Sequence, residues 1–186
     1  MTVAAVSREA ELLTAYQAGE TGAFEEVYDR HAQQVLTYVV GMIGDRDAAE
    51  EVIQQVFTKF AVRARKVPPE TNVRAYLLTS ARNAVVNRIR ARGRRERFVE
   101  NYGVLVRRRG PGGGGPAAGV ERDEMRDRLN RALGSLAEGE REVVLLHCQA
   151  ELTFEETAEV LGIPRGTATT RYRSALAKLR LRLGHE

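Results

Sequence analysis

Tryptophan is absent from this chain of 186 residues, cysteine occurs once, histidine three times and proline five times. A single cysteine, Cys148, excludes an internal disulfide framework and suits a reducing cytoplasm. The three histidines, His31, His147 and His185, lie far apart or beside a chain end. That spacing offers no metal site, and no cofactor is expected. No apolar run approaches the ~20 residues that cross a bilayer, so membrane insertion is not expected. The opening stretch MTVAAVSREAELL lacks a basic segment followed by an apolar one, so no secretory signal is expected. Alternating strand patterns are missing as well. Hydrophobic residues at 43% and charged residues at 29% leave an ordinary globular balance.

What the chain does have is arginine, unevenly placed. The net charge is only +4. Yet Arg88, Arg90, Arg92, Arg94, Arg95, Arg97, Arg107, Arg108 and Arg109 are opposed over that stretch only by Glu96 and Glu100. A second basic segment, Arg165 to Arg182, contains no acid. Acids gather instead in Glu20–Asp29, Asp45–Glu51 and Glu138–Glu159. Like charges at this density repel unless a partner neutralises them, so two polyanion contacts are expected, with a different kind of surface between them.

The segment RRRGPGGGGPAAG, Arg107 to Gly119, cannot form helix or strand cheaply and reads as a linker. It divides the chain into a first domain over 1–100, a flexible connection over 101–121 and a second domain over 122–186. The fold class expected is all-α, two small helical domains. Upstream, helical periodicity predicts a short helix over Leu12–Ala18, a long one over Phe24–Ile43, one opening at Asp47 and one over Asn72–Arg92. Downstream, Arg122–Leu136 and Glu140–Gln149 read as helices.

Thr153 with Glu156 three residues on is a capping box. The helix it starts stops at Gly162, and Ile163-Pro164 turns the chain into another helix. On that last helix Ala168, Tyr172, Ala175, Leu176, Leu179 and Leu183 share one side, while Thr167, Thr170, Arg171, Ser174 and Lys178 share the other. Short donors for base edges and longer cations for phosphates are what a helix in a major groove needs. The unit reads as a helix-turn-helix. In the first domain, Leu77, Leu78, Ala81, Val85 and Ile89 line one side of a helix whose other side carries Thr79, Asn83, Asn87 and Arg90. Tyr76 there offers a ring for stacking on an unpaired base.

Taken in order, FEEVYDRH (Phe24 to His31), GDRDAAEEVIQQVFTKF (Gly44 to Phe60) and VRAYLLTSARNAVVNRIR (Val73 to Arg90) resemble region two of bacterial sigma factors of the extracytoplasmic function group, in the sigma-70 family. Ser135 to Arg180 resembles region four, and the linker stands where a third region is missing. The resemblance implies a transcription initiation factor, not an enzyme, that binds core RNA polymerase and directs it to promoter DNA in the bacterial cytoplasm. It implies polymerase docking through Asp47, Glu50, Glu51, Gln54 and Gln55. The minus-ten element would be opened and read by Tyr76, Thr79, Arg82, Asn83, Asn87 and Arg90. The minus-thirty-five element would be read by Arg165, Thr167, Thr169, Thr170, Arg171, Ser174 and Lys178. An anti-sigma factor is the expected regulatory partner.

Three positions depart from the family pattern: Tyr76 replaces a tryptophan, Ala168-Thr169-Thr170 replaces Val-Lys-Ser, and Ala48 replaces an aspartate ahead of the docking face. The linker suits the implied task. Two elements ~25 base pairs apart are ~85 Å apart along B-form DNA. Two compact domains of roughly 25–30 Å each leave a gap of tens of Å, which about twenty flexible residues, with a maximum reach of ~70 Å, can bridge. Two other readings use the same residues. A stand-alone helix-turn-helix regulator would bind duplex without polymerase. A metal-dependent nuclease would use Asp45, Asp47, Glu50 and Glu51, acids on an outward helix face with no histidine nearby. Cys148 beside His147 reads as a buried helix cysteine rather than a sensor.

Overall fold

Capping side chains and left-handed glycines mark several of the helix boundaries. The structure, a computed structural model, describes residues 3–102 and 128–184. All regular secondary structure among them is helical. The first half contains α1 (Val3–Gln17), α2 (Thr21–Ile43), α3 (Arg46–Ala64) and α4 (Val73–Tyr102). The second contains α5 (128–134), α6 (Glu138–Val144) continuing into a wider π-helical turn (Leu145–Gln149), α7 (Phe154–Leu161) and α8 (Arg165–Leu183). The linker expected over 101–121 lies, from residue 103 onward, outside the described residues, as does the start of the helix expected from Arg122. So do Arg107, Arg108 and Arg109.

Gly44 ends α2 at φ 74°, a left-handed conformation that side chains with a Cβ rarely adopt. Asp45 then caps α3, its carboxylate accepting from the Ala48 N–H at 3.1 Å. Asn72 does the same for α4, accepting from the Ala75 N–H at 3.0 Å. The far end of α3 is closed by α1: Gln17 Nε2 donates to the carbonyls of Ala64 (2.9 Å) and Val67 (2.7 Å), and the Tyr16 hydroxyl donates to that of Ala61 (3.1 Å). Glu9 of α1 is buried, and one of its oxygens accepts from the Val73 N–H at 3.2 Å. A carboxylate suits the positive end of α4. His31 Nε2 lies 3.1 Å from the other oxygen, at an angle poor for a hydrogen bond.

Two helices differ from expectation. α4 runs on to Tyr102 instead of stopping near Arg92, because Arg and Glu are good helix formers and no proline interrupts them before the linker. α1 starts at Val3, well ahead of the expected Leu12. In the second half, Arg141 holds the end of α5, donating to the carbonyls of Leu133 (2.8 Å) and Gly134 (2.7 Å).

The apolar core runs through both halves without a break. In the first, Phe60 of α3 is 1% exposed, with the rings of Phe24 and Tyr76 at 6.3 and 5.6 Å. In the second, Leu145, Leu146 and Leu152 are buried, and Leu145 lies against Gly41 of α2. The halves meet where the π-helical turn packs on α2 and α7 packs on α4, with Arg82 of α4 paired to Glu142 of α6.

Candidate nucleic-acid interface

α7 and α8 form the expected helix-turn-helix. The Thr153 hydroxyl accepts from the Glu156 N–H at 3.2 Å, and Glu156 Oε2 accepts from the Thr153 N–H at 2.8 Å. Gly162 turns the chain at φ 64°. Pro164 stands at the N-cap of α8, one position ahead of the first helical residue. Ala168, Ala175 and Leu179 are buried, which aims the opposite side of α8 outward.

The seven side chains expected to read duplex DNA are not equally free. Thr170 is exposed, Thr167 and Thr169 half-buried; the hydroxyls of Thr169 and Thr170 donate back to the carbonyls of Arg165 (3.1 Å) and Gly166 (2.9 Å). Arg165 pairs with Glu155 at 2.7 Å on the surface. Arg171 lies over Gly139, so closely that a Cβ there would come within 2.8 Å of Nη1. Ser174 and Lys178 are engaged within the fold. Ser174 Oγ donates to Glu140 Oε1 at 2.7 Å, and Lys178 Nζ donates to the two Glu140 oxygens at 2.7 and 2.8 Å. Lys178 and Ser174 hold the Glu140 carboxyl below its ordinary range.

A depressed carboxyl contributes stability that is present above its unfolded value, near ~4.3, and is lost as pH falls through the folded one. Glu140→Gln is therefore expected to cost about 1–2 kcal/mol at neutral pH, the low end for a charged hydrogen-bonded group because Lys178 is half exposed. Thermal melts should show that difference near neutrality and lose it progressively as the solution is acidified below the ordinary carboxylate range. An equal penalty at neutral and acid pH would refute the assignment.

On α4 the minus-ten candidates divide. Tyr76, Thr79, Asn83, Asn87 and Arg90 fall within an arc of about 80° at 100° per residue. Asn83, Asn87 and Arg90 are exposed, and Tyr76 is half-buried with its ring backed by Phe60. Arg82 stands about 100° round the helix from Asn83 and turns to the second half. Its Nε and Nη2 donate to Glu142 Oε1 and Oε2 at 2.9 and 3.4 Å. Glu142 is 3% exposed, and burial pushes its carboxyl up against the pull of Arg82.

Asp47, Glu50, Glu51, Gln54 and Gln55 are all exposed on α3. Glu50 meets Arg46 at 3.0 Å and Glu51 meets Arg88 at 2.9 Å. Ala48 is buried and takes no part in that face. Beside the face a groove between α2 and α3 is lined by Tyr28, Ala32, Leu36 and Ile53, with Tyr28 exposed. Sequence reasoning missed Tyr28, and also the exposed cations Arg63, Arg65 and Lys66 at the end of α3, although the run RARK was a visible signal. It missed Glu142, and it missed that Glu156 reaches beyond its capping box to Arg74, because those partners are distant in sequence.

Cys148 is corrected: it is exposed, not buried, with Sγ 3.5 Å from the Tyr172 hydroxyl. The π-helical turn displaces the side chain from the position a regular helix would give it. His147 fills the inner place, stacked 4.1 Å from the Phe154 ring, with Nδ1 2.7 Å from the Leu152 carbonyl.

Comparison with known proteins finds two family models on this chain. Sigma-70 region 2 matches residues 27–95 and Sigma-70 region 4 matches residues 132–181. The RNA polymerase sigma factor CarQ of Myxococcus xanthus is 28% identical over 169 residues, covering 91% of this chain and 94% of that protein. The ECF RNA polymerase sigma factor RpoE of Cereibacter sphaeroides is 28% identical over 163 residues, 87% of this chain and 86% of that one. Among solved structures, the sigma factor RpoE of Bartonella quintana, in complex with the anti-sigma factor NepR, has the same fold. Its TM-score is 0.71 at 21% identity, over 88% of this chain and 98% of that one.

Proposed function

Because the chain belongs to the extracytoplasmic function group of the sigma-70 family and directs RNA polymerase to promoters, we propose a division of that work among its residues. The first domain, over 1–100, docks on core polymerase through Asp47, Glu50, Glu51, Gln54 and Gln55, with Tyr28 extending the face. It opens and reads the minus-ten element with Tyr76, Thr79, Arg82, Asn83, Asn87 and Arg90, while Arg63, Arg65 and Lys66 take phosphates. The second domain, over 122–186, reads the minus-thirty-five element as duplex. Thr167, Thr169, Thr170 and Arg171 lead, and Arg165, Ser174 and Lys178 join once their internal partners yield. The segment 101–121 spans between them. The protein works in the cytoplasm without catalysing a reaction, and an anti-sigma factor holds it in reserve.

The observation that carries this reading is the pairing, on one chain, of a capped helix-turn-helix with an outward arc of asparagines on α4. Opening a few base pairs costs a few kcal/mol, which stacking on Tyr76 and phosphate contacts must offset. The stand-alone regulator gives way, since it assigns no work to the region 2 match. The nuclease reading gives way too: Asp45 is spent on capping α3, and Glu50 and Glu51 face arginines.

Run-off transcription with core polymerase over a pool of promoters tests the assignment. Arg171→Ala is expected to lower promoter-specific transcript about 10- to 100-fold, the worth of one good base or phosphate contact. Asn83→Ala should produce a loss of similar size that duplex binding does not share. Full activity from both variants would sink the residue assignments.

A further inference from the structure

We infer that Gln17, in the last turn of α1, is a positioning residue for the minus-ten element. It fixes the turn that carries Arg65 and Lys66, so that α1 sets how region 2 meets opened DNA. The inference rests on the reading of those cations as phosphate contacts.

The connection from Arg65 to Asn72 joins α3 to α4, and α1 holds both ends of it. At the near end the Gln17 amide, which has two N–H donors, bridges the carbonyls of Ala64 and Val67 at 2.9 and 2.7 Å. Ala64 is the last residue of α3, so its carbonyl has no partner within the helix. The backbone of Arg65 and Lys66 lies between the two bridged carbonyls. The turn's own hydrogen bonds do not hold Val67 firmly, since its N–H is 3.4 Å from the Ala64 carbonyl. At the far end the Val73 N–H donates to Glu9, about two turns earlier on α1. Between the anchors stand Pro68 and Pro69, whose rings fix φ.

Ala64 and Val73 are both 0% exposed, so the anchors sit on the core, while Arg65 and Lys66 face solvent. Neither cation forms an ion pair among the described residues. The same turn of α1 also reaches the stacking platform. Tyr16 donates to the Ala61 carbonyl, and its ring stands 5.5 Å from that of Phe24. Phe24 stacks at 6.3 Å on Phe60, the ring behind Tyr76. One turn of helix thus fixes cations for phosphates and a ring for a base relative to each other.

Gln17 is itself exposed, and water can serve two surface carbonyls nearly as well as its amide does. Its removal therefore takes little from the fold. What water cannot supply is direction. On a fixed turn the two cations reach DNA already placed, whereas on a loose turn their ordering becomes a cost of binding.

Gln17→Met retains the length and helix propensity of the side chain and removes the donor. With core polymerase and a promoter fragment whose minus-ten region is left unpaired, it should weaken binding about tenfold, the cost of ordering two long side chains on association. Thermal melts and affinity for core polymerase should not change. In a chain already carrying Arg65→Ala and Lys66→Ala the same substitution should cost nothing further, because the groups it acts through are gone. Hydrogen exchange over residues 64–73, read without DNA, should quicken.

Exchange as slow as in the wild type overturns the inference, and so does a loss that persists in full without the two cations. Undiminished binding by Gln17→Met overturns it as well when the Arg65→Ala, Lys66→Ala chain is weakened. When that chain too binds like the wild type, the phosphate assignment is what fails, and the inference falls with it whatever the exchange shows.

Discussion

Phe60→Ala is expected to cost about 3–5 kcal/mol, the range for deleting a fully buried aromatic ring. Phe60 is 1% exposed and meets Phe24, Tyr76 and the apolar side of α4, so no neighbour can collapse into the space without leaving its own contacts. A domain of this size has only about 5–15 kcal/mol in all, so such a loss leaves the first domain marginal. Denaturant unfolding followed by circular dichroism should show it directly, and Phe60→Leu should cost much less, because it retains most of the volume. The functional consequence is specific. Tyr76 rests on Phe60, so any stacking platform for an unpaired base loses its backing. Promoter opening should then fail before duplex binding by α8 does. A melt within about 1 kcal/mol of wild type would mean that the packing around Phe60 is not what holds the domain.

The largest effect on binding is expected from Glu50→Lys combined with Glu51→Lys. Both carboxylates are exposed, at 54% and 63%, and each meets only an arginine at the surface. Exposed pairs of that kind are worth about 0–1 kcal/mol, so the fold should survive with its melt nearly unchanged. Against a basic partner the double reversal sets like charges face to face, which costs several kcal/mol. Affinity for core polymerase should fall at least about 100-fold, equivalent to ~2.7 kcal/mol, in a pull-down or an anisotropy titration. Duplex binding by the second domain should not change. Wild-type affinity in the double variant would remove α3 from the docking surface.

Much of this was legible along the chain because the signals are local. The Thr153 and Glu156 box, the Gly44 and Gly162 stops and the apolar stripe of α4 each involve residues three or four positions apart, within one turn of backbone. The extension of α4 to Tyr102 was missed because a dense arginine run was read for its charge rather than its helix propensity. Cys148 was misjudged for a different reason. Periodicity at 100° per residue assumes a regular helix, and the π-helical turn over Leu145–Gln149 shifts every face beyond it.

The sequence by itself determined that the regular structure of the described residues is helical, that the second half carries a helix-turn-helix, and which sides of α4 and α8 are apolar. All of that follows from capping chemistry and the 3.6-residue period, which act over a turn or two. Only the tertiary structure decided which charged groups are committed. Glu140 holds Ser174 and Lys178 from 34 and 38 residues away, Glu142 holds Arg82 across 60, and Glu156 reaches Arg74 across 82. A carboxylate can find any of the arginines and lysines of this chain, and no short-range pattern ranks them. The choice is made by the packing of apolar faces, which brings one pair within 3 Å and buries it while leaving others to solvent.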